Sequence, residues 1–168
     1  MGSKRLFDDI ERTAGISSCE RYRFALGRHW DREKGFVLFI MLNPSTADAN
    51  VDDPTIRRCM NFAKSWGYGG IEVCNLFDWR ATDPKHLRNK LAIAKSEKND
   101  VAIRCRLVTA SMVIAAWGAV PWAEGHIAEV FQTVFDDELR WHCLGFTKED
   151  YPKHPLYVPA KTQPTLFW

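Results

Sequence analysis

The chain has 168 residues, of which 46% are hydrophobic and 26% charged, with a formal net charge of +2. This composition excludes a disordered segment and leaves a nucleic-acid binder unannounced by charge alone. The length suits one domain, residues 1–168, with core enough to need no covalent staples.

The five cysteines, Cys19, Cys59, Cys74, Cys105 and Cys143, are odd in number and never in a Cys-x-x-Cys arrangement. They suit a reducing compartment and show no metal-ligand spacing. No apolar run approaches the length of a membrane span, so a cytoplasmic protein without a membrane partner is expected.

Residues 1–18 read as a polar lead-in with one short helix over 7–13. "CERYRFALGRHW" alternates as a strand does, and "DREKG" turns into "FVLFIML", a continuous apolar run of the kind covered on both faces. "DPTIRRCMNFAKSWG" places Ile56, Met60, Ala63 and Trp66 at helical spacing, with Asp53-Pro54 as its start and Gly67 as its stop. "IEVCNLF" is a short strand leading into the polar loop "DWRATDPKHL", and a long helical pattern covers residues 84–108. "MVIAAWG" is another buried strand, "WAEGHIAEVFQTVF" an amphipathic helix, and "LRWHCLGF" a last strand before a proline-rich loop and a tail over 159–168.

Alternating strands and helices predict an α/β fold, a three-layer α/β/α sandwich around a mostly parallel sheet. Ligands in such sheets bind beyond the carboxyl ends of the strands. The loops after Leu42, Asn75, Ala116 and Phe146 are therefore expected to meet at one edge.

Four stretches carry groups suited to chemistry. In Asn43-Pro44-Ser45-Thr46, the proline keeps Asn43 out of helical space, so its amide is held in one direction at a strand end. Ser45 and Thr46 are suited to a phosphate or to capping the turn. Asp48, Asp52 and Asp53 form a loose acidic group, a weak signal for a divalent cation because ligand spacing in a loop is permissive, and Asp53 is better placed as a helix cap. Arg57 and Arg58 follow in the first turns of that helix, where the helix dipole disfavours cations, which points to an anionic partner, either Asp48 and Asp52 within the chain or a phosphate.

Asn75 and Phe77 stand at the next strand end, suited to reading and stacking on a flat heterocycle, with Arg80 beyond them. Taken by itself, Phe77 reads more readily as core. Further basic residues, Lys148, Lys153 and Lys161, gather near the end of the chain. In Lys153-His154-Pro155-Leu156-Tyr157, a histidine held before a proline can stabilise developing negative charge behind an apolar tip. No P-loop, dinucleotide fingerprint or Ser-His-Asp spacing is present.

The motifs "MLNPSTADA", "DDPTIRRC", "WGYGG", "NLF", "RATDP" and "HPLYVP", spread over residues 20–158, resemble a domain family of unknown function from bacteria and their phages, DUF1643. More distantly, their order is similar to that of the uracil-DNA glycosylase superfamily. That likeness implies a nucleobase pocket and hydrolysis of an N-glycosidic bond in DNA or a nucleotide, a modified base included. It implies that Asn43 orients water, Asn75 reads the base edge and His154 steadies the departing base. Phe77 would then stack, and Ser45, Thr46, Arg57, Arg58 and Arg80 would hold phosphates. Asp48, Asp52 or Asp53 could reach inward as accessory acids, and no cofactor or metal is implied.

Ser45 and Leu156 depart from the superfamily's glycine and serine at the matching places, and no aspartate stands at position 43. The rival reading is a module that binds a nucleotide or nucleic acid without cleaving it, in conflict between phage and host. A structural partner subunit would instead expose Trp122, Trp141 or Trp168 in an apolar patch.

Overall fold

The computed structural model describes residues 10–90, 94–134 and 139–167. Among them seven strands form one sheet: β1 (Glu11–Ile16), β2 (Arg23–His29), β3 (Val37–Met41), β4 (Gly70–Asn75), β5 (Met112–Ala115), β6 (Trp141–Cys143) and β7 (Thr165–Leu166). Their order is β1-β2-β4-β3-β5-β6-β7. The apolar run that forms β3 takes the centre because every one of its side chains finds apolar cover. Leu38 and Ile40 pack with Ile103, Leu107 and Val130 on one face, while Val37, Phe39 and Met41 pack with Ile56, Cys59 and Phe62 on the other. Burial on that scale is worth roughly 1.5–3 kcal/mol for each large apolar side chain.

The expected mostly parallel sheet is in fact mixed. β3 pairs with β4 and β5, and β5 with β6, in parallel, whereas the β1-β2, β2-β4 and β6-β7 pairings are antiparallel. The outer strands explain the difference. Residues 11–16, expected as part of a helix and lead-in, form β1, and the tail supplies β7. Both are mostly exposed edge strands, held by pairing to their neighbours, so neither carries the apolar alternation by which a strand is recognised. The remainder of the expected helix, residues 7–9, lies outside the described residues.

Four α-helices lie among the described residues: α1 (Pro54–Ser65), α2 (Lys85–Arg88), α3 (Glu97–Leu107) and α4 (Glu124–Val134). α1 begins where expected. Asp53 has extended backbone and its Oδ1 accepts from the Ile56 N–H at 2.9 Å, with Pro54 in the first turn. After the helix, Gly67 takes φ +86, a conformation glycine adopts without strain.

The long helix expected over 84–108 is instead two helices. α2 ends at Arg88, and α3 restarts after Ser96, whose backbone is extended and whose hydroxyl donates to the Asp78 carboxylate. Both halves suit a helix in composition, and the extended backbone of Ser96 sets the start of the second. All five cysteines are free, with Cys59, Cys74 and Cys143 buried. Among the described residues no helix is long and apolar enough to cross a membrane.

Candidate functional site

The four parallel strands β4, β3, β5 and β6 point their carboxyl ends along one edge of the sheet. There a cavity of about 950 Å³ opens. Its wall takes residues from all four loops expected to meet: Asn43 after β3, Thr82 after β4, Trp117 after β5 and Lys148 after β6. The amino end of α1 joins them through Asp53 and Thr55.

Asn43 is locked by its own amide. Nδ2 donates to the Ala81 carbonyl at 2.7 Å and to the Pro44 carbonyl at 3.0 Å. With both N–H groups engaged, the group left free on this residue of the cavity wall is Oδ1, an acceptor. Asp53 also faces the cavity, with Oδ1 tied to the cap of α1 and no donor to Oδ2 among the described residues.

His154 opens a short 3-10 turn, Pro155–Tyr157, and its Nδ1 accepts from the Leu156 N–H at 3.3 Å. Because Nδ1 is an acceptor, the proton of the neutral ring sits on Nε2, which has no protein partner among the described residues. Burial holds the His154 pKa below the usual histidine value, against an upward pull from Asp53. The ring is therefore a neutral donor near pH 7.

Arg58 braces this loop from α1, donating through Nε to the Pro155 carbonyl at 3.4 Å and through Nη2 to the Val158 carbonyl. Arg80 similarly clips the loop after β3, donating to the Ser45 carbonyl at 3.4 Å and the Thr46 carbonyl at 3.5 Å. Arg57 donates to the Asp52 carbonyl. The three arginines expected at phosphates thus hold backbone carbonyls, and none of them lines the cavity. Ser45 is on its wall; Thr46 is exposed outside it.

Two of the three acids turn away. Asp48 Oδ1 accepts from the Asn50 and Val51 N–H groups, which hold its carboxyl below the usual range. Asp52 pairs with Arg28 at 2.7 Å and Arg12 at 2.8 Å. Burial pushes the Asp52 carboxyl upward, but the hydrogen bonds and charges of those arginines outweigh it and hold the pKa low.

Asn75 and Phe77 lie behind the wall rather than on it. Asn75 is 1% exposed, with Oδ1 accepting from Arg23 at 3.4 Å. Phe77 is fully buried, its ring stacked 4.0 Å from that of His126. Other aromatics line the cavity instead: Trp117, Trp122, Phe146 and Tyr157. Trp122 is half-buried there and Trp141 is buried in the core, while Trp168 lies outside the described residues. Arg23 and Lys85 line the same wall; Lys85 belongs to the polar loop DWRATDPKHL, whereas no motif singles out Arg23.

A family model described as a protein of unknown function (DUF1643) matches residues 23–156. The chain belongs to the DUF1643 family. That match contains all four loops of the cavity and every lining residue but Tyr157, so in this DUF1643 chain the site is built almost entirely from the family's own segment. No curated protein and no solved structure matches the chain.

The two depressed histidines give this DUF1643 chain an acid-side liability. His126, like His154, is held below its usual pKa by burial, its Nε2 lying 3.3 Å from the Leu76 carbonyl. The unfolded chain binds protons near pH 6.5 while the folded one resists them. Stability is therefore present above about pH 6.5 and lost as the pH falls through the lower folded values. Urea unfolding at pH 7.5, 6.0 and 5.0 is expected to show this fall, and the pair His126→Gln and His154→Asn to flatten it. A slope unchanged by the substitutions would assign the loss elsewhere.

Proposed function

We propose that the cavity holds a nucleobase and that the protein hydrolyses an N-glycosidic bond in DNA or a nucleotide, modified bases included. The observation that carries this reading is the pairing, in one aromatic-walled cavity, of an acceptor at Asn43 Oδ1 with a neutral Nε2–H donor at His154. The uracil-DNA glycosylase likeness of the motifs, and with it a three-layer sandwich, belongs to the same proposal.

In this mechanism Asn43 Oδ1 holds a water by accepting a hydrogen bond from it. The bond from the sugar carbon to the base nitrogen breaks, and its electron pair leaves with the base. His154 donates a hydrogen bond through Nε2 to the charge developing there. Water oxygen then bonds to the sugar carbon. Its proton passes to solvent or to Asp53 Oδ2, which also steadies positive charge on the sugar. Stacking falls to Trp117, Trp122 or Tyr157 in place of Phe77, and external phosphates to Lys85, Lys148 and Lys153 in place of the three arginines.

One observation favours the rival, a binding module. An asparagine takes no proton from water, and Asp53 is already half spent on its helix cap. The decisive experiment incubates the protein with single- and double-stranded DNA, RNA and free nucleotides, including uracil and modified pyrimidines. Mass spectrometry looks for released base, which is expected. Every ligand returned intact would move the reading to the binding module.

A further inference from the structure

Two arginines on β2 are buried, and they differ in one respect. Arg28 is fully buried and ion-paired with Asp52 at 2.7 Å. Arg23 is 3% exposed, yet it enters no ion pair among the described residues. Its guanidinium meets only neutral oxygens, the Ala47 carbonyl at 2.8 Å from Nη1 and Asn75 Oδ1 at 3.4 Å from Nη2. Its Nε–H and the Nδ2 of Asn75 are buried with no acceptor among the described residues.

Burial draws the Arg23 pKa down to about 10, so the side chain still carries its charge at neutral pH. A buried charge without a counter-ion is costly, and proteins keep one where a ligand supplies the partner. Arg23 lines the cavity, where the cations Lys85, Lys148 and Lys153 outnumber the two acids, Asp53 and Glu149. The amino end of α1 opens on the same space and favours an anion, as do Lys85, Lys148 and Lys153. Asp53, the acid whose charge acts on Arg23, caps that helix through Oδ1 and makes no ion pair with the guanidinium.

A side chain this buried is reached only by a group that enters the cavity. Phosphodiesters within a strand run along a protein surface and meet lysines at its rim; a terminal phosphate on a small molecule can pass inside. The cavity, at about 950 Å³, has room for a base, a sugar and a phosphate together. We propose that Arg23 anchors the terminal phosphate of a nucleotide, so that the ligand of this site is a nucleoside monophosphate rather than a residue within a nucleic-acid strand. The proposal rests on the nucleobase reading above.

The test is calorimetric titration of the full chain with nucleoside 5′-monophosphates, the corresponding nucleosides, inorganic phosphate and an oligonucleotide lacking terminal phosphates. The wild-type protein is expected to bind at least one monophosphate 10-fold or more tighter than its nucleoside, a factor of ten being about 1.4 kcal/mol. Inorganic phosphate should compete. In Arg23→Gln the ratio should fall towards one, and Arg23→Lys should keep part of it. The wild-type comparison stands even where a variant fails to fold.

Equal affinity for nucleoside and monophosphate, or tighter binding of the unphosphorylated oligonucleotide, would overturn the proposal. Base release from that oligonucleotide alone would overturn the phosphate anchor and leave the glycosidic reading standing. Inorganic phosphate bound through Arg23 with no added affinity from any nucleoside would do the reverse, removing the nucleobase and with it the nucleotide.

Discussion

Changing His154 to asparagine is expected to reduce base release by roughly 10²–10³-fold while leaving the fold intact, the loss associated with one hydrogen-bond donor to a developing anion. The choice of residue follows from the ring's two roles. Nδ1 accepts from the Leu156 N–H and shapes the loop. An asparagine oxygen sits close to the place of Nδ1 and retains that contact, but nothing in the shorter side chain reaches the position of Nε2. His154→Gln does the converse, returning a distant N–H donor and losing the local cap. Single-turnover rates with melting temperatures measured alongside separate the two roles. An asparagine variant as active as the wild type would remove His154 from the chemistry, whatever the substrate.

The largest effect on stability is expected from Arg28→Met. The arginine is 0% exposed, and Nε donates to Asp52 while other guanidinium nitrogens donate to the Gly27 carbonyl at 2.8 Å and the Asp48 carbonyl. Methionine fills similar space but supplies none of these donors. Breaking a buried pair costs roughly 3–5 kcal/mol when one partner stays behind. Here Arg12 remains beside Asp52, which places the loss near the lower end, about 3 kcal/mol. For a chain of this size that is a fall of about 6–12 °C in melting temperature. A fall of under about 2 °C would mean that Arg12 and solvent replace Arg28 almost completely. The effect bears on function as well, because the loop that Arg28 holds leads directly into Asp53 and the start of α1.

The central strands are legible in the amino-acid sequence, along with the edge on which their loops meet. β3 is apolar at every position because both its faces are covered, and Asp53-Pro54 with Gly67 brackets α1 by local chemistry alone. The loops after Leu42, Asn75, Ala116 and Phe146 share one cavity, since β3, β4, β5 and β6 run in the same direction. The edge strands are hidden for the opposite reason. β1 and β7 are specified by backbone hydrogen bonds to β2 and β6, which any residue with an N–H can make.

The roles of individual polar side chains are legible only by type. Arg57, Arg58 and Arg80 are cations near an expected anion, but nearby loop carbonyls take their donors. Phe77 and Trp122 are both aromatic; the first is stacked on His126 within the core, whereas the second reaches the cavity. Periodicity assigns a residue to one side of an element, and it is silent on which distant carbonyl or ring arrives there.

By itself, then, the sequence determined the buried central strands, the start and end of α1, and the edge at which polar loops converge, because each depends on neighbours within a few residues. Tertiary structure alone decided that the sheet is mixed, that Asn43 keeps an oxygen free while His154 keeps an N–H, and that among the described residues Arg23 is buried without an ion pair while Arg28 has one. Those outcomes depend on which groups compete for each donor and each charge, and the competitors come from strands and loops far apart in the chain.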